Sequence, residues 1–291
     1  MLWNIRKKKF IGVVILAFVL ATLGWALPLV SSNATGQPID ADPDYAVTFT
    51  IPGIGMFLFA LITAMNSISS EFESGTIVPL LTKPVSRTMV FLGKLLAAFI
   101  IILITYTILF VYGVIGGALV YGPQNNLHLL PLGLFGNILS TFIWITIILA
   151  AGALSKSTIL STLVALGFFI GILFAVPIIS LFAGPSPVLN YVPGSGASGT
   201  MITTQEAITV GAGTDNIGAN LINYALYSSA NVDFNSTSFE IQDGQPLITQ
   251  TFAYSEPISV VTSRSVATAA AYTIVFLIIA WIALKRAQVL E

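Results

Sequence analysis

Cysteine is absent from this 291-residue chain, and histidine occurs once, at position 128. Without thiols there is no disulfide, no thiolate metal site and no thiol nucleophile, and one imidazole cannot build a multi-histidine metal centre. Five methionines are scattered without a cluster, so a soft-ligand copper site has no support. Charge is scarce too: Asp, Glu, Lys and Arg make up 8% of the residues, against about 25% in soluble domains. No Ser/His/Asp set or carboxylate pair forms around the lone His128, so no catalytic residue, metal ligand or bound cofactor is assigned. The phosphate-cradling pattern G-x-x-x-x-G-K-[ST] is missing as well. Gly93-Lys94 lacks the upstream glycine and is followed by Leu95, so any ATP hydrolysis belongs to another chain. A net charge of −1 leaves no electrostatic footprint for nucleic acid.

What the chain has instead is hydrocarbon. Hydrophobic residues are 56% of the total, the composition of an integral membrane protein. Six apolar runs, 10–30, 51–69, 89–121, 132–154, 159–182 and 266–284, are each long enough at 1.5 Å per residue to cross a hydrocarbon core of about 30 Å. The first exceeds the about 7 to 15 residues of a signal-peptide core, so it reads as a retained span. The third is longer than a crossing needs, which tilt accommodates. Gly113 and Gly117, and again Gly167 and Gly171, stand four apart, the spacing for close helix approach. Pro177 is expected to kink the fifth span. No Asp, Glu, Lys or Arg lies within a span away from its ends, which disfavours a proton-coupled carrier. Sodium coupling through backbone carbonyls stays open.

Between the runs, residues 31–50 carry Asp40, Asp42 and Asp44. The calcium-loop glycine and distal glutamate are missing, so this stretch reads as a solvated acidic loop. Residues 184–264 form the one sizeable polar region. Within it, 185–199 reads as a Pro/Gly/Ser linker, 216–230 as an amphipathic helix, and 238–242 with 247–254 as two strands joined across Asp243-Gly244. The expected fold is therefore an all-α polytopic membrane protein of six transmembrane helices, with a small extracellular α+β insertion between helices 5 and 6. The expected division is 1–183 for helices 1 to 5, 184–265 for the extracellular loop or cap, and 266–291 for helix 6 and a cytoplasmic tail.

Orientation follows from the cations. With six spans, Arg6, Lys7, Lys8, Lys9, Lys83, Arg87, Lys94, Lys156, Lys285 and Arg286 share the side of the termini and only Arg264 falls opposite. That asymmetry places both termini in the cytoplasm of a plasma-membrane protein. Trp3 beside the basic start suits the headgroup layer. The two N-x-S/T sequons, at Asn33 and Asn235, then fall outside as possible glycosylation sites.

Residues 70–87 are the one place where acidic, basic, turn-forming and apolar residues are packed together. Glu71, Glu73, Lys83 and Arg87 are too expensive for lipid, so the segment lies at a membrane surface. The pattern Glu71-x-Glu73-x-Gly75-Thr76, then Leu80-Leu81, Pro84-Val85-Ser86-Arg87 and Gly93-Lys94-Leu95 resembles the cytoplasmic loop of type 2 ABC transporter permeases, the membrane subunits of ATP-driven exporters. The resemblance implies a coupling segment, 70–88, that docks on a separate ABC ATPase subunit holding ATP and Mg. It also implies a second permease chain, as homo- or heterodimer, in membrane lipid; the basic start is expected to orient the first span, with a short interfacial helix of the kind this family uses as an elbow as the alternative. On that reading Glu71 and Glu73 offer charge to a basic rim, Ile77, Val78, Leu80 and Leu81 fill a groove, Pro84 ends the segment, and Arg87 and Lys94 anchor its re-entry. Two positions depart from the family pattern: Phe72 stands where a basic or polar residue is common, and Pro79 interrupts the apolar face, fitting a helix that begins there. Two other functions compete, a non-transporting assembly or sensory subunit with an extracellular binding region, and a secondary transporter. The residues do not name a substrate.

Overall fold

The computed structural model describes residues 8–36, 39, 42–74, 86–184, 186–194, 196–203, 207–242 and 245–286. Among them the chain is mostly helical: α1 (Lys8–Thr35), α2 (Tyr45–Thr48), α3 (Gly53–Ala64), α4 (Ser69–Glu73), α5 (Arg87–Tyr121), α6 (Leu130–Ser155), α7 (Thr158–Ala183), α8 (Ile217–Leu226) and α9 (Ile258–Arg286). Six helical stretches are long and apolar enough to cross a membrane, with Gly53–Glu73 serving as one of them. The six expected spans are therefore present, and α9 starts well ahead of residue 266. Residues 258–265 include Arg264 and four hydroxyl residues, a composition that hides the start of a helix which packs against protein instead of lipid.

α6 is the axis of the bundle. Pro131 starts it, where a missing N–H costs nothing, and Lys156 in the left-handed conformation (φ 53°) stops it. α3, α7, α8 and α9 all pack along it. At its centre the rings of Phe57 and Phe169 stack at 4.2 Å, with Trp144 edge-on to both at 5.3 and 5.2 Å. The Tyr106 hydroxyl meets Thr141 Oγ1 at 2.6 Å between α5 and α6, so two buried hydroxyls satisfy each other in a medium without water. The second span is not continuous. After Ala64 the chain turns through Met65–Ser67 before α4 resumes.

The acidic loop is not simply solvated. Ala46 and Val47 of α2 are buried, Gln124 Oε1 accepts the Ala46 N–H at 2.8 Å, and Asp44 Oδ1 accepts from Asn126 Nδ2 at 2.9 Å. The stretches before α3 and after α5 are thus sewn together, which alternating carboxylates alone do not reveal.

The insertion between α7 and α9 holds an antiparallel sheet of order β2-β1-β3-β4: β1 (Ser198–Ile202), β2 (Ala207–Gly211), β3 (Asn231–Gln242) and β4 (Gln245–Pro257). The two expected strands are the far parts of β3 and β4, and their turn, Asp243-Gly244, lies outside the described residues. β1 begins in the last two residues of the expected linker, and β2 lies beyond it, in a stretch to which the sequence assigns no element. Met201, Val210, Val232, Phe234, Ile258 and Val261 make a separate small core.

A polar seam fastens this cap to the bundle. Ser140 Oγ donates to Thr214 O at 2.5 Å, Ser265 Oγ to Ala212 O at 3.1 Å and Thr262 Oγ1 to Asn220 O at 3.1 Å. Asn137 accepts the Ile51 N–H at 3.1 Å and donates to Gly133 O at 2.8 Å. Asp215 is the acidic residue of the seam, with a carboxylate oxygen against Gly53, the first residue of α3. Burial pushes its carboxyl up from the ordinary range. The folded chain therefore holds this proton more tightly than the unfolded one, and stability falls as pH rises through and above about 3.9. Asp215→Asn is expected to raise the melting temperature at neutral pH and to leave it unchanged where the carboxyl is already protonated. Thermal unfolding at the two pH values checks this.

Candidate functional site

The mixed segment begins where the second span breaks. Serine hydroxyls tie the short helix α4 back to the break and cap its end: Ser69 Oγ donates to Met65 O at 2.7 Å, Ser70 Oγ to Asn66 O at 2.6 Å and Ser74 Oγ to Ser70 O at 2.6 Å. Five residues would not hold a helix in water by themselves. The neighbouring elements hold it.

Glu71 reaches α5. Its Oε1 accepts from Lys94 Nζ at 2.6 Å, and the same ammonium donates to Ser67 O in the break. Glu73 reaches α7. Its Oε1 accepts the backbone N–H of Thr158 at 2.7 Å and the Ser157 hydroxyl at 3.1 Å. Thr158 is the first residue of α7, so the carboxylate occupies a helix N-terminus, where free N–H groups and the helix dipole favour negative charge. Ser69 Oγ and Thr158 Oγ1 lie 3.1 Å apart, and Lys156 Nζ stands 5.8 Å from the Phe72 ring centre. Phe72 is half-buried against the bundle core, and a cation stands by the rest of its ring.

Arg87 starts α5 and donates from Nη1 to Lys285 O at 2.9 Å and Leu284 O at 3.3 Å. It therefore covers carbonyls that the end of α9 leaves free. Ser86 caps α5 through the Met89 N–H at 3.2 Å. Glu71, Glu73, Arg87 and Lys94 thus share the end of the bundle that carries the starts of α5 and α7 and the close of α9. Gly75, Thr76, Leu80, Leu81 and Pro84 lie outside the described residues, as do Ile77, Val78, Pro79, Trp3, Arg6 and Lys7.

The expected glycine pairs divide. A Cβ on Gly113 would lie 3.2 Å from the Phe49 ring, and one on Gly117 2.7 Å from Tyr45 Cδ1, so this pair does admit close neighbours, though they come from the α2 region and not from a crossing helix. A Cβ on Gly167 or Gly171 would meet no neighbouring element within 4 Å among the described residues. Asn33 is exposed near the end of α1. Asn235 lines a cavity of about 330 Å³ with Val176, Pro177, Ser180 and Ser198, between α7 and the sheet.

Along the bundle, Phe99, Leu103, Leu134, Phe135, Phe142 and Thr273 border a groove of about 450 Å³. A hydrocarbon chain fits such a lining. A charged group would find no partner in it.

Ser157, Thr158 and Lys156 carry no expectation from the sequence beyond a short turn. The signal that exists is Ser157 as a helix N-cap. That a glutamate 84 residues earlier in the chain would share that cap is not a local property.

The ABC-2 family transporter protein model matches residues 3–289, which leaves almost none of the chain outside it. The chain belongs to the ABC-2 family. It is a multi-pass membrane protein and a permease component of an ABC transporter. A comparison with curated proteins finds no match. The ABC-2 assignment covers the cap as well as the spans, so the sheet is part of the matched region and not an appended module.

Proposed function

We propose that this ABC-2 protein is the membrane-spanning subunit of an ATP-driven exporter, worked by a separate ATPase subunit that engages the segment between the second and third spans. The single observation that carries the reading is the junction around α4. A five-residue helix at the end of a broken span is tied by carboxylates to the starts of two other spans, so a push on it reaches the bundle. The cations support the orientation. Among the described residues Lys8, Lys9, Arg87, Lys94, Lys156, Lys285 and Arg286 lie at the α4 end and Arg264 at the cap end, which favours a cytoplasmic α4 end with both termini and an extracellular cap. In this reading two permease chains pair in the plasma membrane, ATP and Mg reside in the ATPase, and sequons at Asn33 and Asn235 face outside.

Affinity purification of the tagged protein from its native membranes tests the proposal. An ATPase carrying a phosphate-binding loop is expected to come down with it in stoichiometric amount. Recovery of the permease without any ATPase, under detergents that keep it folded, would overturn the reading in favour of an assembly subunit or secondary transporter.

A further inference from the structure

The resemblance gives Glu71 and Glu73 to the ATPase. The geometry gives them other work. Both carboxylates have their Oε1 engaged within the chain, one on an ammonium of α5 and one on the first N–H of α7. We infer that Glu73 is a positioning residue of the coupling machinery: its hold on Thr158 is the contact through which displacement of α4 is passed to α7, while Lys94 pins the break in the second span.

Three features make this a path for motion and not a static tie. The break at Met65–Ser67 separates α4 from α3, so α4 can swing without dragging the buried Phe57 and Phe59 of α3. Lys94 holds Ser67 O, the last residue of that break, and Glu71 in α4, so α5 supplies the pivot. α7 is continuous from Thr158 to Ala183, about 39 Å at 1.5 Å per residue. Leu163, Leu173 and Phe174 on it are exposed, so only one side of the helix is held. At its far end Val176, Pro177, Ser180 and Leu181 wall the cavity of about 330 Å³ against Gly196, Ser198 and Asn235 of the cap. A shift delivered at Thr158 therefore changes the width of that cavity at the opposite end of the bundle.

The inference rests on the exporter reading and is tested so that the two fail differently. The chain has no native cysteine, so spin labels can be placed at Leu92→Cys on α5 and Leu163→Cys on α7, both exposed. Labelled chains diluted into unlabelled protein, co-purified with the ATPase and reconstituted in lipid, report the α5 to α7 distance with and without ATP and Mg. In the parent an ATP-dependent change in distance is expected. In Glu73→Ala the ATPase is expected still to co-purify and the resting distance to hold, while the ATP-dependent change is lost. Glu73→Gln, which keeps an oxygen for the Thr158 N–H, is expected to restore it. An undiminished change in Glu73→Ala, a parent in which ATP changes nothing, or loss of the ATPase from Glu73→Ala would each overturn the inference, the last by making Glu73 a docking residue. Absence of any ATPase from the parent preparation would instead bring down the exporter reading on which it stands.

Discussion

Glu256→Ala is expected to cost about 3 to 5 kcal/mol of stability, because it leaves a buried guanidinium without its counter-charge. Arg264 lies two turns inside α9 with its side chain 6% exposed, and Glu256 ends β4 at 18%. Nη1 donates to Oε1 at 2.8 Å, a charge-assisted hydrogen bond, and Nη2 stands 2.7 Å from Oε2 as an ion-pair contact without hydrogen-bond alignment. The Tyr191 ring centre lies 5.9 Å from the guanidinium carbon, within reach of a cation–π attraction. Glu256→Leu combined with Arg264→Met is expected to recover most of the loss, since an apolar pair of similar volume carries no desolvation cost. Unfolding of the two single variants and the double variant in one detergent checks the claim. Losses below about 1 kcal/mol in the singles would mean that the pair behaves as a solvated surface bridge.

Gly136→Val is expected to separate the cap from the bundle. A Cβ on Gly136 would stand 2.3 Å from Gly218 N and 2.8 Å from the carbonyl carbon of Ile217. Those are backbone atoms of α8 and cannot rotate away as a side-chain tip can. Overpacking in a core costs about 1 to 3 kcal/mol where neighbours adjust, so a contact between two helix backbones is expected to reach the upper end of that range or exceed it. The same displacement would strain the Ser140 to Thr214 bond in the seam. Limited proteolysis of the cap reads the outcome: Gly136→Val is expected to be cleaved much faster than the parent. Gly167→Ala, with open space around its Cβ, is expected to match the parent as an isolated chain.

The spans were legible because lipid allows so few solutions. A backbone in hydrocarbon must bond to itself, so long apolar runs become helices whatever surrounds them. The turn at Met65–Ser67 was not legible, since Met65, Asn66 and Ser67 do not carry the proline or glycine that usually marks a break. β1 escaped for a related reason. A five-residue stretch containing glycine and serine looks like linker until Gly199 pairs with both Val210 and Phe234. Arg264 counts as a loop cation by composition, yet it sits inside a helix because Glu256 meets it there.

The candidate site divides along the same line. That residues 70–87 are too charged to rest in lipid is read from their composition, in a chain so nearly free of charge. That Glu73 closes the N-terminus of α7, and that Lys94 holds the break, depends on elements brought together from 27 and 85 positions away.

Hydropathy and charge, both local sums along the chain, pointed to six apolar helices long enough to cross lipid and singled out the one stretch of mixed charge. Only the folded chain decided which groups each carboxylate grips and where the cap is fastened, because those bonds join residues distant in sequence whose meeting depends on the packing of every helix between them.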